Sequence, residues 1–228
     1  MRCRHLGGGV DDRWKKVVQK ELPNFSGISV RERQGDELLK SLGIENVRQC
    51  LDPVLLLEQE EWEEMASSEK KSQHYCLGYF LNGYKKEDIH FQQVKEYCDK
   101  NNMDLKIIPN QGAECFIPQE FLIAPDPEEF LALFRDAACV IANSFHAAVF
   151  AIVFKKPFVL IPQKRERKHQ NDRFISLFDT LGLESRLLVD SSDIVTIMDR
   201  KIDFDDLNDN INILRSQSLQ FLSTSLKH

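Results

Sequence analysis

The sequence lacks any apolar segment that could cross a membrane or direct secretion. Its longest apolar stretch, residues 147–154, is far shorter than the roughly 20 residues that a membrane-spanning helix needs. The N-terminus, MRCRHLGGGVDD, contains no apolar core of a signal peptide. Glycine and proline are also scarce, at 10 and 8 of 228 residues, which argues against a disordered or fibrous chain. We therefore expect a cytoplasmic globular protein.

Paired cysteines and an excess of basic residues are absent as well. The 6 cysteines contain no CxxC pair, so we expect free thiols that pack as small hydrophobic side chains, with no zinc site or disulfide framework. The net charge of −6 argues against nucleic-acid binding, because phosphate backbones attract clustered Lys and Arg. No G-x-G-x-x-G or P-loop sequence occurs, which disfavours the common nucleotide sites. We expect neither a metal nor a resident cofactor.

Short β-branched or aromatic runs alternate with helical patterns along the chain. We predict strands at 27–31, 47–50, 75–80, 105–108, 139–142, 158–161 and 186–189. We predict helices at 33–42, 60–67, 86–101, 127–137, 143–154, 171–181 and 207–226. The alternation indicates an α/β fold with a mostly parallel sheet and helices on both faces. Residues 1–21 are expected to be a poorly structured lead-in, and residues 22–228 one α/β domain.

The most informative segment is the junction at which the predicted strand 139–142 enters the next helix. Its residues are Asn143, Ser144, Phe145 and His146. Free backbone N–H groups and the helix dipole favour an anion at such a junction, and Ser144 would add a hydroxyl donor. His146 lies in the first helical turn, where an imidazole can exchange a proton near neutral pH. The alternative is that Asn143 or Ser144 only caps the helix and that His146 packs on the sheet.

Two further strand ends and one polar loop carry charged candidates. Asp52-Pro53 follows the second strand, and we interpret it most simply as a turn, since the residue before a proline is held extended. Arg31 and Glu32 follow the first strand, and Arg31 either binds a carboxylate or phosphate or forms a structural salt bridge with Glu32 or Asp52. The basic loop that contains Arg165 follows the strand 158–161, and Arg173 lies at the start of the next helix. A cation at a helix N-terminus opposes the helix dipole, which favours a binding role for Arg173.

The order of several segments resembles the polysaccharide pyruvyl transferase family. ISVRE at 28–32 precedes DPVLLL at 52–57, and Trp62 follows. EFLALFRDAACVIANSFHAAVFAIVFKKPFVLIP at 129–162 comes next, then NDRFISLFDTLGLESRLL at 171–188. The family shows a similar succession of an SVRE-like segment, a DP-type segment, a strand-into-helix segment that ends in His, a KPF strand and an R-x-x-x-L-L-x-x-L-G-L helix. The resemblance covers residues 22–188.

This resemblance implies a Rossmann-like lobe of a two-lobed, glycosyltransferase-B-like fold with the active site between the lobes. It implies transfer of an enolpyruvyl group from phosphoenolpyruvate to sugar hydroxyls of a cell-surface glycan, which gives a pyruvate ketal. His146 and Arg31 would be the catalytic residues, with His146 as the general acid. Asn143, Ser144, Arg173, Arg165 and Glu32 would complete the donor site.

The sequence departs from the family pattern in three ways. Ser144 stands where some members carry Arg, so Arg173 or the basic loop at 164–168 would supply that charge. Ala147 stands where members commonly have Gly. Only 27 residues precede ISVRE, so we expect a separate N-terminal lobe or a homo-oligomer to complete the cleft. Two alternatives remain at this point, a nucleotide-sugar glycosyltransferase of the same fold class and a non-catalytic binding or assembly domain.

Overall fold

The computed structural model describes residues 12–68, 74–81, 85–109, 115–163, 171–189 and 193–227. Its α-helices are α1 Asp12–Glu21, α2 Arg33–Ser41, α3 Gln59–Met65, α4 Phe91–Lys100, α5 Pro127–Asp136, α6 Phe145–Val153, α7 Asn171–Leu181, α8 Ile194–Met198 and α9 Phe204–Ser225. Its strands are β1 Ile28–Val30, β2 Val47–Gln49, β3 Tyr75–Phe80, β4 Asp104–Pro109, β5 Cys139–Ala142 and β6 Phe158–Leu160. The α/β fold predicted from the sequence is confirmed.

Parallel strands form two separate sheets rather than the single sheet that we predicted. β1 pairs with β2, in the register Ile28 to Val47. The other strands form a four-stranded parallel sheet in the order β4-β3-β5-β6. The two-stranded sheet is attached to the rest by hydrogen bonds to helices α7 and α9, through the hydroxyl groups of Ser176 and Ser218.

Helices cover both faces of the main sheet, as the uninterrupted apolar runs of its strands require. Successive strand residues point to opposite faces, so Ile107 belongs to the core under α4 and α8 while Ile108 belongs to the core under α5 and α6. Val94 of α4 is fully buried in the first of these cores, the one that contains Ile107. The cysteines Cys76, Cys98 and Cys139 are buried free thiols in that same core.

Helix α6 is buried on all sides, as its apolar sequence predicted. Each residue from Ala147 to Val153 is buried. The ring of Phe150 contacts aromatic rings of two other helices: its centroid lies 5.2 Å from that of Trp62 in α3, and 5.7 Å and 5.6 Å from those of Phe130 and Phe134 in α5. This packing fixes the helix, and with it the direction in which its N-terminus points.

The structure differs from the sequence prediction at four places. The helix predicted at 86–101 is divided: Lys86–Ile89 is a 3-10 helix, His90 has a left-handed backbone conformation, and α4 begins at Phe91. Residues 186–189 form no strand: a short 3-10 helix, Glu184–Arg186, precedes a single bridge between Leu187 and Leu160. The guanidinium of Arg186 is buried here and donates to the carbonyl groups of Ile197 and Arg200 at the end of α8, so the segment serves to hold that helix. Helix α8 itself was not predicted. Asp12–Glu21 forms α1, where we expected no regular element.

Among the helices in the described ranges, none combines the length and the apolar character needed to cross a membrane.

Candidate functional site

The main sheet reverses its winding between β3 and β5. The chain leaves β3 through α4 on one face to reach β4, and it leaves β5 through α6 on the opposite face to reach β6. In open α/β sheets, the crevice outside the carboxyl ends of two such strands is the usual ligand site. The crevice here lies between Leu81, which follows β3, and Asn143, which follows β5.

Asn143 joins these two strand ends. Its buried side-chain amide donates to the carbonyl oxygen of Leu81 at 2.7 Å and accepts the Leu81 N–H. The Asn143 carbonyl in turn accepts from the side chain of Gln163, whose backbone is bound at both its N–H and its carbonyl by Asn171. The ends of β3, β5 and β6 are therefore tied together around the N-terminus of α6.

Replacing Asn143 with alanine is expected to destabilise this junction, because the N–H and the carbonyl of Leu81 both lose their partner. We expect the free energy of unfolding to fall by about 2 kcal/mol. Urea denaturation of Asn143→Ala measures the change. The control is Asn101→Ala, whose exposed amide donates to the carbonyl of Tyr97 at a helix end and should cost much less. Equal losses in the two variants would contradict the role assigned to Asn143.

The carboxyl ends of the two-stranded sheet face the same crevice. Arg31 follows β1, and Asp52 comes shortly after β2 and begins the 3-10 helix Pro53–Leu56. One carboxylate oxygen of Asp52 accepts the N–H of Val54 at 3.1 Å, as a helix cap does. The other accepts from Nη1 of Arg31 at 2.6 Å. The two sheets thus bring their strand ends to one place.

Five ionisable side chains meet there. Asp52 Oδ2 lies 2.6 Å from Arg31 Nη1 and 3.9 Å from Nε2 of His146. Glu32 Oε1 lies 3.6 Å from Nη2 of Arg31 and 3.6 Å from Nε of Arg173. With His146 neutral, two cations and two anions balance in this charge cluster, which we define as Arg31, Glu32, Asp52, His146 and Arg173.

His146 is the most exposed member of the charge cluster, with 47% of its side chain accessible, whereas the Asp52 side chain is 3% accessible. Partial burial lowers the pKa of His146 below its ordinary value; the Asp52 charge opposes this, and the charges of Arg31 and Arg173 add to it. An imidazole that is open on one side and titrates below its ordinary range can exchange a proton with a bound molecule near neutral pH.

A cleft of about 250 Å³ adjoins the charge cluster. Its lining includes the charged residues Arg31, Glu32, Asp52 and Arg173. Its walls are contributed by α7, α9 and the strand ends, and they include Phe145, Leu177, Leu214 and Gln217. His146 does not line this cleft. The cleft therefore combines charged and apolar lining residues, a combination typical of small-molecule pockets.

The sequence model of the polysaccharide pyruvyl transferase family matches residues 7–165, more than half of the chain. The chain belongs to the polysaccharide pyruvyl transferase family. No curated protein matches the sequence at a significant level. The family is one of transferases, and its name implies a polysaccharide acceptor. The matched region includes Arg31, Asp52 and His146, and it ends before Arg173.

The pyruvyl transferase sequence pattern predicted most of the charge cluster. The structure brings Arg31, Glu32, His146 and Arg173 together, as we expected for one site. Of the two interpretations of Arg31, the structure shows the salt bridge with Asp52, and it also places Arg31 in the lining of the cleft. Asp52 was interpreted as a turn and a possible salt-bridge partner, and its Asp-Pro sequence gave no sign that it would lie beside His146. Arg165 lies outside the described residues.

Of the predicted donor-site residues, Asn143 and Glu32 contact other parts of the protein, whereas the Ser144 side chain makes no capping contact. Both polar atoms of the Asn143 side chain form hydrogen bonds with the backbone of Leu81. Asn143 therefore holds the ends of β3 and β5 together. Glu32 carries a negative charge between two arginines, so it holds these cations near each other rather than attracting an anion. Ser144 is the N-cap residue of α6, and its side chain makes no capping hydrogen bond. Its buried hydroxyl is therefore not used by the helix end.

Over the described parts of the chain, no group of three or more histidine, cysteine, aspartate or glutamate residues is arranged to hold a metal ion.

Proposed function

We propose that this member of the family transfers an enolpyruvyl group from phosphoenolpyruvate to a sugar hydroxyl of a cell-surface polysaccharide. The observation that carries the proposal is the convergence of Arg31, Arg173 and His146 at the reversal of the main sheet, beside the N-terminus of α6. Cations, free helix N–H groups and a proton-carrying imidazole are the groups that this donor requires.

The donor carries a phosphate and a carboxylate, so its binding needs fixed positive charge. Arg31 contacts Asp52 through Nη1, while its Nη2 stays 3.6 Å from Glu32, beyond ordinary hydrogen-bond length. That edge of the guanidinium can offer a planar pair of donors to a carboxylate or phosphate. Burial, together with the nearby charge of Arg31, lowers the pKa of Arg173. An anionic donor beside these two cations would add to the stabilisation that the Glu32 carboxylate gives them.

The proposed chemistry begins with a proton from the His146 imidazolium to the methylene carbon of the donor. The central carbon then becomes electron-deficient and takes the oxygen of a sugar hydroxyl, whose proton returns to His146. Cleavage of the carbon–oxygen bond to phosphate follows, and a second hydroxyl of the sugar adds to the same carbon to close the ketal. Inorganic phosphate leaves with the second hydroxyl proton. These steps call on no metal and no cofactor.

Replacing Arg31 with lysine is expected to weaken phosphoenolpyruvate binding about tenfold. A lysine keeps the charge but cannot present two donors in one plane, and a hydrogen bond to a charged group is worth about 1.5–3 kcal/mol. Isothermal titration of the purified chain measures the affinity. Arg48→Lys is the matched control, since Arg48 is an exposed residue of the neighbouring strand β2.

The same titration is repeated with UDP-glucose. Binding of phosphoenolpyruvate that weakens in Arg31→Lys and not in Arg48→Lys supports the proposed donor site. Preferential binding of UDP-glucose would favour a nucleotide-sugar glycosyltransferase instead. If neither ligand binds, this chain has no working donor site and the proposed function is wrong for it.

A further inference from the structure

Asp52 is buried more deeply than its capping role requires. A second Asp-Pro pair in the chain, Asp126-Pro127, also caps a helix: the Asp126 side chain accepts the N–H of Glu129 at 2.8 Å. Asp126 does this at the surface, whereas the Asp52 side chain is 3% accessible. A buried carboxylate is costly unless it is paired. Capping therefore does not account for the placement of Asp52.

The second oxygen of Asp52 faces the two side chains to which the proposed function gives chemistry. Asp52 Oδ2 accepts from Arg31 at 2.6 Å and lies 3.9 Å from Nε2 of His146. The first oxygen is fixed by the Val54 N–H at 3.1 Å, so the carboxylate cannot turn without losing its cap. The Asp52 carboxylate therefore contacts both the Arg31 guanidinium and the His146 imidazole from one fixed position.

We infer that Asp52 is a positioning residue of the proposed transfer, which holds the Arg31 guanidinium in place and keeps a negative charge beside the His146 imidazole. The inference rests on the proposed function for its catalytic meaning. Arg31 comes from the end of β1 and His146 from the start of α6, and no described hydrogen bond joins the two directly. Asp52 is the group that contacts both.

The charges around His146 give Asp52 a specific electrostatic task. Among the described residues, the charged groups that act on His146 are Asp52 before the 3-10 helix, Arg31 at the end of β1 and Arg173 on α7. Of these, only Asp52 is negative, and Glu32 lies next to the two arginines. A negative charge near an imidazole favours its protonated form. Asp52 therefore keeps His146 able to carry the proton that the transfer needs.

The test compares Asp52→Asn with Asp126→Asn in the full chain. Asparagine keeps an oxygen for the cap in both variants and removes one charge in each. The imidazole of His146 is followed by NMR with labelled histidine, its signal being assigned by its loss in His146→Gln. We expect Asp52→Asn to lower the proton affinity of His146 about tenfold, and to lower kcat/KM about 100-fold through misplacement of Arg31. Asp126→Asn should change neither.

Asp52→Glu is the second variant, in case Asp52→Asn does not fold. It keeps the charge and moves the carboxylate by one methylene group, so the proton affinity of His146 should stay close to that of the wild type while kcat/KM still falls. If Asp52→Asn, like Asp126→Asn, changes neither the His146 titration nor kcat/KM, Asp52 is only a cap and the inference is wrong. If the wild type does not bind phosphoenolpyruvate, the proposed function fails, but the His146 titration still decides whether Asp52 acts on His146.

Discussion

His146→Gln is expected to lower the rate of pyruvyl transfer by about 100-fold to 10,000-fold, the usual contribution of a general acid. Glutamine can still donate a hydrogen bond to the donor but cannot deliver a proton to carbon. Because the His146 side chain is nearly half accessible, its removal leaves no cavity, and the stability of the fold should change little. Release of inorganic phosphate from phosphoenolpyruvate, in the presence of a polysaccharide acceptor, measures the rate.

The pH dependence gives a second test of the same residue. His146 must be protonated to act as an acid, so kcat/KM should fall as the pH rises through the pKa of His146 in the free enzyme. Burial lowers that pKa, so the fall should occur below about pH 6.5, the ordinary value for histidine. A bound anionic donor favours the imidazolium, so the corresponding fall in kcat should lie at higher pH.

His74→Gln is the matched control for this experiment. His74 is an exposed residue just before β3, at the opposite end of the main sheet from His146, and its replacement should leave the rate unchanged. A His146→Gln variant that is inactive because it is unfolded would show instead that His146 supports the core. A folded variant with the wild-type rate and pH profile would remove His146 from the chemistry.

Phe150→Ala is expected to lower the free energy of unfolding by about 4 kcal/mol, in the range typical of a buried aromatic side chain. The ring of Phe150 packs edge-on against Trp62 and Phe130 and tilted against Phe134, so several aromatic contacts are lost and a cavity remains. For a chain of this size, we expect the midpoint of thermal unfolding to fall by about 10 °C. Thermal and urea denaturation measure both quantities.

The control is Phe25→Ala, which removes the same ring from a site where 59% of the residue is accessible. Its effect should be small, since little apolar area returns to water. Similar losses in Phe25→Ala and Phe150→Ala would mean that α6 is not anchored by its aromatic cluster. The position of His146 could then not be attributed to the packing of this helix.

The elements that carry the site were predictable because their local signals agreed. β5 is an uninterrupted apolar run, and α6 is apolar on every side, so both could only be buried. An aspartate followed by proline is typical of a helix start, and α5 begins in this way, with Asp126 as its N-cap. The strand predicted at 186–189 was wrong because Leu187 and Leu188 are apolar for another reason: they pack beside β6 while Arg186 anchors α8.

The separation of β1 and β2 from the main sheet had no local signal. Each of these strands has three residues, and their sequences would suit the edge of a larger sheet equally well. The segments that follow these two strands are instead bound by side chains that come much later in the sequence. Ser176 accepts the N–H of Arg33, and Ser218 accepts that of Leu51. Hydrogen bonds of this kind depend on where α7 and α9 lie, which no short window of sequence can specify.

The sequence by itself determined the α/β class, the junction between β5 and α6 and the presence of Arg31 and His146 at strand ends, because periodicity, caps and apolar runs act over a few residues. Only the tertiary structure decided that Asp52 lies between these two side chains and that Arg173 joins them through Glu32. Those contacts bring together residues from two sheets and a later helix. They exist because burial of α6 and α7 draws the carboxyl ends of both sheets to one crevice, a long-range consequence of packing that local sequence patterns do not encode.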